Sequence, residues 1–428
     1  MKSKIGVIGL WHLGCVISVS WTKKGHKVIG FDYDLDRVQN LQRGKPPLFE
    51  PHLKEGIQEG FNNCLLSFSN NIKSLSECDY IFLAYDTPVK DDDSSDTSIL
   101  EKSVNDVSGI MKDGSILIIS SQSPAGYCRN LRELMHLKNE TLEIAYSPEN
   151  LRLGEALECY RNPGRIILGT ALPSCEKKCV ELFSEITDQI LTMNLESAEM
   201  VKHGINSFLA MSIVFTNSLS DICEESKANI KDVVRGMKSD IRIGQKAYLS
   251  PGIGFSGGTL GRDLKVLDEV NRKANGYAKL FGFVHTSNNE RKLAILRKIK
   301  KILTSLEGKT IGVLGLTYKP GTSTLRRSLP LEIVDLLIDE KVNVKVFDPK
   351  ADYGELPSNQ KFIVERNIFD VAKDSDMLLV LTEWPEFVKF DWSVITSTLK
   401  SKIIFDTKNC LDDTLLTKIG FNYYSVGR

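Results

Sequence analysis

Lys4-Ile-Gly-Val-Ile-Gly9-Leu-Trp-His-Leu-Gly14 and, one helical pattern later, His26-Lys-Val-Ile-Gly-Phe-Asp32 decide how the rest of the chain is read. The first run is short, apolar and broken by glycine, as in a strand buried on both faces. Val16-Ile-Ser-Val-Ser-Trp21 follows with a helical period, and the second strand ends in an acid. Strand, glycine turn, helix and strand with a terminal acid make a dinucleotide-binding unit: the turn presents a helix N-terminus to a pyrophosphate and the acid reaches a ribose. Gly9, His12, Leu13, Gly14 and Asp32 are therefore candidate cofactor residues. The middle glycine of the G-x-G-x-x-G pattern is replaced by Trp11, whose indole must either swing outward or alter how the cofactor sits.

Working outward, strand-like runs recur at Tyr80-Ile-Phe-Leu-Ala84, Ile116-Leu-Ile-Ile119 and Leu142-Glu-Ile-Ala-Tyr146, separated by helical patterns such as 99–111. This alternation predicts a parallel sheet covered on both faces. Ligand residues in such sheets lie past the C-terminal ends of the strands, which singles out Asp86-Thr-Pro88, Ser121-Gln-Ser-Pro124 and Ser147-Pro-Glu149. From 198 to about 226 the apolar residues keep a helical period with no proline, predicting one long helix on which Lys202 and Asn206 share a face. A charged helical connection over 288–306 leads to a second alternating region, with strands at Thr310–Leu316, Asn343–Phe347, Met377–Leu381 and Ile403–Phe405 and a helix over Leu331–Asp339. The expected fold class is α/β: two doubly wound Rossmann-like domains, 1–196 and 301–428, joined by a central long-helix domain, 197–300.

Lysine plus arginine and aspartate plus glutamate both number 55, so no net field draws the chain to nucleic acid or to an anionic membrane. The nine cysteines form no Cys-x-x-Cys pair and no zinc-like cluster, which predicts neither a metal site nor a disulfide framework and fits a reducing, cytoplasmic setting. No run approaches the roughly 20 apolar residues of a membrane span.

A second stretch carries the chemistry: Pro251-Gly-Ile-Gly-Phe-Ser-Gly-Gly-Thr-Leu-Gly-Arg-Asp263. So much glycine implies that the backbone approaches something closely. Asp263 closes the stretch and opens an amphipathic run through Leu264, Leu267 and Val270, predicting a helix start suited to an anion.

This stretch resembles the substrate loop of the UDP-glucose/GDP-mannose dehydrogenase family, Pro-Gly-x-Gly-Phe-Gly-Gly-Ser-Cys-Phe-x-Lys-Asp, with Thr259 at the cysteine position and Arg262 at the lysine. The resemblance spans the chain. Thr87-Pro88 matches the first strand-end loop; Gln122 stands for threonine in the second; Glu149 is kept in the third, while a second acid there has become Leu153. Glu199, Lys202 and Asn206 match Glu-x-x-Lys-x-x-x-Asn, and Arg242 falls in an Arg-Ile-Gly segment. In the second alternating region Lys319, Thr322 and Arg326 match Phe-Lys-Pro-Asn-Thr-Asp-Asp-Leu-Arg-Glu-Ser, whose three acids are replaced by Ser323, Thr324 and Arg327.

The resemblance implies oxidation of a nucleotide sugar's primary alcohol with NAD. Lys202, Asn206, Asp263, Glu149 and Thr259 would occupy the catalytic positions. Thr87, Gln122 and Arg326 would join the glycine turn around NAD. Leu151, Arg242, Tyr248, Gly254, Gly257, Tyr318 and Lys319, with Glu149, Lys202 and Asn206, would hold the sugar nucleotide, with UDP preferred by analogy and Arg242 supplied across a homodimer or higher homo-oligomer. Members of the family take the aldehyde to the acid through a cysteine thioester. Thr259 has no thiol, so three readings stand: a dehydrogenase that works without cysteine or stops at the aldehyde, a redox-neutral epimerase or lyase with retained NAD, and a non-catalytic sugar-nucleotide-binding paralogue.

Overall fold

In the computed structural model the described residues are 2–85, 96–148, 151, 154–256 and 258–428. They form two compact units, 1–204 and 205–428.

The first unit is built on eight strands: β1 (Lys4–Ile8), β2 (Lys27–Phe31), β3 (Leu66–Ser69), β4 (Tyr80–Leu83), β5 (Ile116–Ile119), β6 (Glu143–Tyr146), β7 (Ile166–Thr170) and β8 (Ile190–Met193). Their order is β3-β2-β1-β4-β5-β6-β7-β8. The sheet is doubly wound about β1, which pairs in parallel with β2 on one side and β4 on the other. The expectation of a wholly parallel sheet needs one correction: β7 runs antiparallel to β6, Ala145 opposite Thr170. The sheet is flanked by α1 (His12–Lys23), α2 (Leu35–Gln42), α3 (Leu53–Asn62), α4 (Ser98–Ser108), α5 (Tyr127–His136), α6 (Ala156–Arg161) and α7 (Pro173–Phe183). Separate apolar clusters fill its two faces, one around Val7, Val16, Trp21 and Phe82, the other around Ile8, Leu83, Val104 and Tyr146. Burial on both faces is why these strands read as continuous apolar runs in the sequence.

The long helix α8 (Leu195–Ser226) begins three residues before the predicted start, and the boundary between the units falls within it. In the second unit α9 (Ile230–Ser239), α10 (Thr259–Lys273) and α11 (Leu280–Leu303) precede a parallel sheet of β9 (Thr310–Leu314), β10 (Asn343–Phe347), β11 (Ile363–Val364), β12 (Met377–Val380), β13 (Ile403–Asp406) and β14 (Asn422–Ser425). Its order, β11-β10-β9-β12-β13-β14, repeats the switch about the first strand, and α12 (Leu329–Asp339) covers one face. The α10 bounds correct the expected helix start: Thr259 opens the helix, so Asp263 lies in its second turn.

Candidate active site

The glycine turn follows from backbone packing. Gly9 adopts φ +92°, and a Cβ there would come within 2.9 Å of the Tyr85 amide nitrogen. A Cβ on Gly14 would lie 1.8 Å from the Gly9 carbonyl, so α1 can rest on the end of β1 only with glycine at that place. Trp11 is the residue before α1, with no side-chain cap bonded there, which leaves the N–H groups of the first turn, His12 to Gly14, to an outside acceptor. This geometry fits a diphosphate. Trp11 takes φ −84°, ψ −150° and its side chain stands outward, 39% exposed, with the Arg37 guanidinium over its ring.

Asp32 is the strand-end acid expected to reach a ribose. It is buried, and its oxygens accept from Leu10 N at 2.7 Å, Asp34 N at 3.0 Å, Arg37 Nη1 at 2.9 Å and Tyr85 Oη at 3.3 Å. It thus clamps the glycine turn to β2. Asp348 does the same in the second sheet, accepting from Leu316 N at 2.8 Å, Thr317 N at 2.9 Å and Trp384 Nε1 at 3.0 Å.

A buried acid that local sequence pattern did not single out ties this turn to the loop after β6. The Glu50 side chain is 1% exposed and meets His12 Nε2 at 2.9 Å. Its two oxygens also accept from Gly154 N and Ala156 N, each at 2.9 Å, capping α6 from a distance. Leu151, half-buried, packs beside the core of this unit. Glu149, Leu153 and Thr87 lie outside the described residues.

The first turns of α8 grip the loop after β5. Glu199, wholly buried, accepts from Gly126 N at 2.5 Å and Cys128 N at 2.8 Å, and His203 Nε2 meets the Ser123 carbonyl at 2.9 Å. Burial pushes the Glu199 carboxyl above its ordinary range, against those two donors. Gln122 sits half-buried on the gripped loop, and Lys202 stands between the two gripping residues in sequence.

In the second unit the Asn206 amide donates to the Asp263 carboxylate, joining α8 to α10. Asp263 is fully buried and Asn206 nearly so. Thr259 is exposed at the first position of α10, four residues ahead of Asp263 and therefore on the same helical face. The glycine-rich loop leading to it is pinned at three points. Gly252 N donates to Asn217 Oδ1 at 2.7 Å, and Gly252 O accepts from Arg291 Nε at 3.0 Å. Asn288 accepts from Phe255 N at 2.8 Å and donates to Phe255 O at 2.9 Å, acting as a strand would. Gly254 has φ +108°, and a Cβ there would come 2.6 Å from Asn288 Oδ1, so this position requires glycine twice over. Gly257 lies outside the described residues. Asn217 falls at the family's later Asn-Glu position, whereas Asn288 and Arg291 were not legible as site residues, because polar residues on long helices ordinarily face solvent.

Past β9, Tyr318 and Lys319 are half-buried neighbours, the Lys319 ammonium 5.8 Å from the Tyr318 ring centre. The following loop is held by Glu355, which accepts from Leu325 N at 2.7 Å and Thr324 Oγ1 at 3.0 Å. Arg326 is exposed there, and Arg327 takes φ +52°, an uncommon backbone for a long side chain. Arg242 lies in the turn after α9, its guanidinium paired with Asp240 at 2.7 and 3.0 Å, and Tyr248 is exposed further along. All nine cysteines are free thiols. Burial pushes Cys15 and Cys78 up to about 12 and raises Cys128 and Cys410 above the usual thiol range as well, the opposite of what an attacking thiolate needs.

With this geometry in hand, comparison with known proteins decides the kinship. The UDP-glucose/GDP-mannose dehydrogenase models match in all three parts: NAD binding domain over 3–187, central domain over 196–290 and UDP binding domain over 312–413. The chain belongs to the UDP-glucose/GDP-mannose dehydrogenase family. It is 32% identical to a UDP-glucose 6-dehydrogenase of Rickettsia typhi, over 99% of each chain. A UDP-glucose dehydrogenase structure from Pyrobaculum islandicum shares the fold with a TM-score of 0.90 at 24% identity, covering 100% of this chain and 98% of that one. The UDP-N-acetyl-mannosamine dehydrogenase Cap5O of Staphylococcus aureus gives 0.83 at 25%, covering 100% and 98%. The family member described here is thus an NAD-dependent oxidoreductase acting on a CH–OH group of a nucleotide sugar. No helix among its described residues is long and apolar enough to cross a membrane.

Proposed function

We propose that this chain is a UDP-sugar 6-dehydrogenase whose efficient chemistry is the first oxidation, from primary alcohol to aldehyde. The observation that carries the reading is the buried Asn206–Asp263 pair, with an alcohol, Thr259, one turn away on the same helix. Bound NAD would supply the hydride acceptor for the carbinol carbon. The family resemblance makes Lys202, one turn before Asn206 on α8, the base for the hydroxyl proton, while the Asn206 amide, oriented by Asp263, steadies the developing alkoxide. The aldehyde has nothing to add to it with ease: a threonine hydroxyl titrates far above a thiol, and no buried cysteine replaces it. Oxidation to the acid then proceeds only through the aldehyde hydrate, a slow route.

The same reading takes the region after β9, with Lys319, as the diphosphate side of the sugar-nucleotide site, and treats 1–196, 197–300 and 301–428 as its working divisions, which the three family matches support. It also makes the protein a homodimer or higher homo-oligomer. Phe208, Phe215 and Ile222 of α8, spaced by seven, are 63%, 50% and 63% exposed, an apolar stripe suited to a second copy of the helix. A cytoplasmic location accords with nine free thiols.

The test is NADH formation from UDP-glucose and NAD, with hydroxylamine present to draw off the aldehyde. Activity in the native chain that falls about 100-fold or more in Asp263→Asn and Lys202→Ala supports the assignment. Undiminished turnover in either variant contradicts it.

A further inference from the structure

The residue that breaks the dinucleotide motif is also the one whose surroundings are most unusual. At φ −84°, ψ −150° the Trp11 backbone is ordinary, so the turn itself does not demand glycine there; the glycine is otherwise needed only to let a ligand come close. The chain has four tryptophans. Trp21, Trp384 and Trp392 are buried at 0%, 4% and 3% exposure, whereas Trp11 is 39% exposed. Its indole is held toward the end of β2, because the Arg37 guanidinium carbon lies 5.3 Å from the ring centre. That guanidinium is itself fixed by Asp32 at 2.9 Å and Asp34 at 3.3 Å. The end of β2 is where the adenosine half of a dinucleotide lies in a fold of this kind. Asp32, the usual ribose acid, already accepts four protein donors and is 2% exposed. Recognition at this end therefore falls to the groups that do reach the surface, an indole and a guanidinium.

We infer that Trp11 and Arg37 form an adenosine platform, on which the adenine ring of the cofactor stacks against the indole while the anchored guanidinium lies beside the ribose and its phosphate. This replaces close backbone approach with stacking, and it rests on the NAD-binding assignment of the first unit. The same reasoning makes Trp11 a reporter, since it is the one exposed tryptophan.

The experiment titrates the full chain with ADP-ribose, reading binding by calorimetry and tryptophan emission in parallel. Saturable quenching is expected, and it should vanish in Trp11→Phe while the dissociation constant stays within about threefold, phenylalanine still offering a ring. Trp11→Gly should weaken ADP-ribose about tenfold or more, the scale of one stacked base, and leave the affinity for nicotinamide mononucleotide unchanged. Tighter ADP-ribose binding in Trp11→Gly would show the indole to be an obstruction. Binding by calorimetry with unchanged emission would place the adenine elsewhere. Either result overturns the platform alone; no heat of binding with ADP-ribose in the native chain overturns the cofactor assignment with it.

Discussion

At position 259 the side chain is an exposed hydroxyl on the first turn of α10, on the face that carries Asp263 one turn later. A thiol at that place would be a far better nucleophile, and the helix N-terminus would favour its anion. Thr259→Cys is accordingly expected to raise the rate of aldehyde oxidation, measured with the isolated UDP-linked aldehyde, by tenfold or more on the order expected for covalent catalysis; an unchanged rate would remove residue 259 from the chemistry. Glu50 makes a different kind of claim. It satisfies His12 and two backbone N–H groups while almost wholly buried, so Glu50→Ala strands all three. Urea denaturation should show a loss of about 1–3 kcal/mol or more, and Glu50→Gln a smaller one, since the amide can still accept one of the bonds. The sequence could not show this: Glu50 sits in an aperiodic, proline-rich turn, and its partners lie 38 and more than 100 residues away.

Among the elements, most strands buried on both faces were legible, β7 being the one missed, and those at the margins were not. β1, β2, β4, β5 and β6 stand within a residue or two of their apolar runs, and so do β9, β10, β12 and β13. β8 and β11 escaped notice because edge strands bury little: Leu191 and Ile363 are 50% and 59% exposed, so no apolar run marks them. Asp32 was legible as a strand-end acid but not as a clamp, because a motif gives position and not which donors the fold brings to it. The glycine-rich loop shows the same limit, its content plain and its anchors on α11 hidden. Of these, Asn288 mimics a strand partner for Phe255, and Asn288→Ala should raise KM for the sugar nucleotide more than it lowers kcat. Equal KM values would show that the loop holds its shape unaided. The Arg291 anchor is pH-sensitive. Arg291 also pairs with Asp221 at 2.6 Å, and Lys298 meets the same acid at 2.7 Å. Burial pushes the Asp221 carboxyl up, but the two cations outweigh it and hold its pKa below the ordinary 3.8. A depressed carboxylate contributes stability above its unfolded pKa and loses it as pH falls through the folded one. The melting-temperature gap between the native chain and Asp221→Asn should therefore be widest near neutrality and close below about pH 4. A gap that persisted in acid would mean the pair contributes through packing alone.

For the whole molecule, balanced charge excluded little beyond polyanion binding, and the fold emerged instead from the order of its strands and helices. Two sheets that each switch direction about their first strand, with a strand-end acid clamping each first turn, are a duplicated solution to holding a phosphate-bearing ligand. The α8 stripe is the feature at this scale that a single chain leaves unexplained. Charge repulsion in Phe215→Glu should shift the solution mass toward the monomer, read by light scattering; a native chain already monomeric at micromolar concentration would contradict the proposed assembly.

The electron count tests the account most directly. With UDP-glucose limiting, NAD in excess and hydroxylamine trapping the aldehyde, the ratio of NADH formed to sugar nucleotide consumed is predicted to be one, with the oxime of the UDP-linked aldehyde as product by mass. A ratio of two without the trap, at the rate of the first step and yielding the uronic acid, would contradict it, because the chain would then complete the second oxidation at full speed without a cysteine.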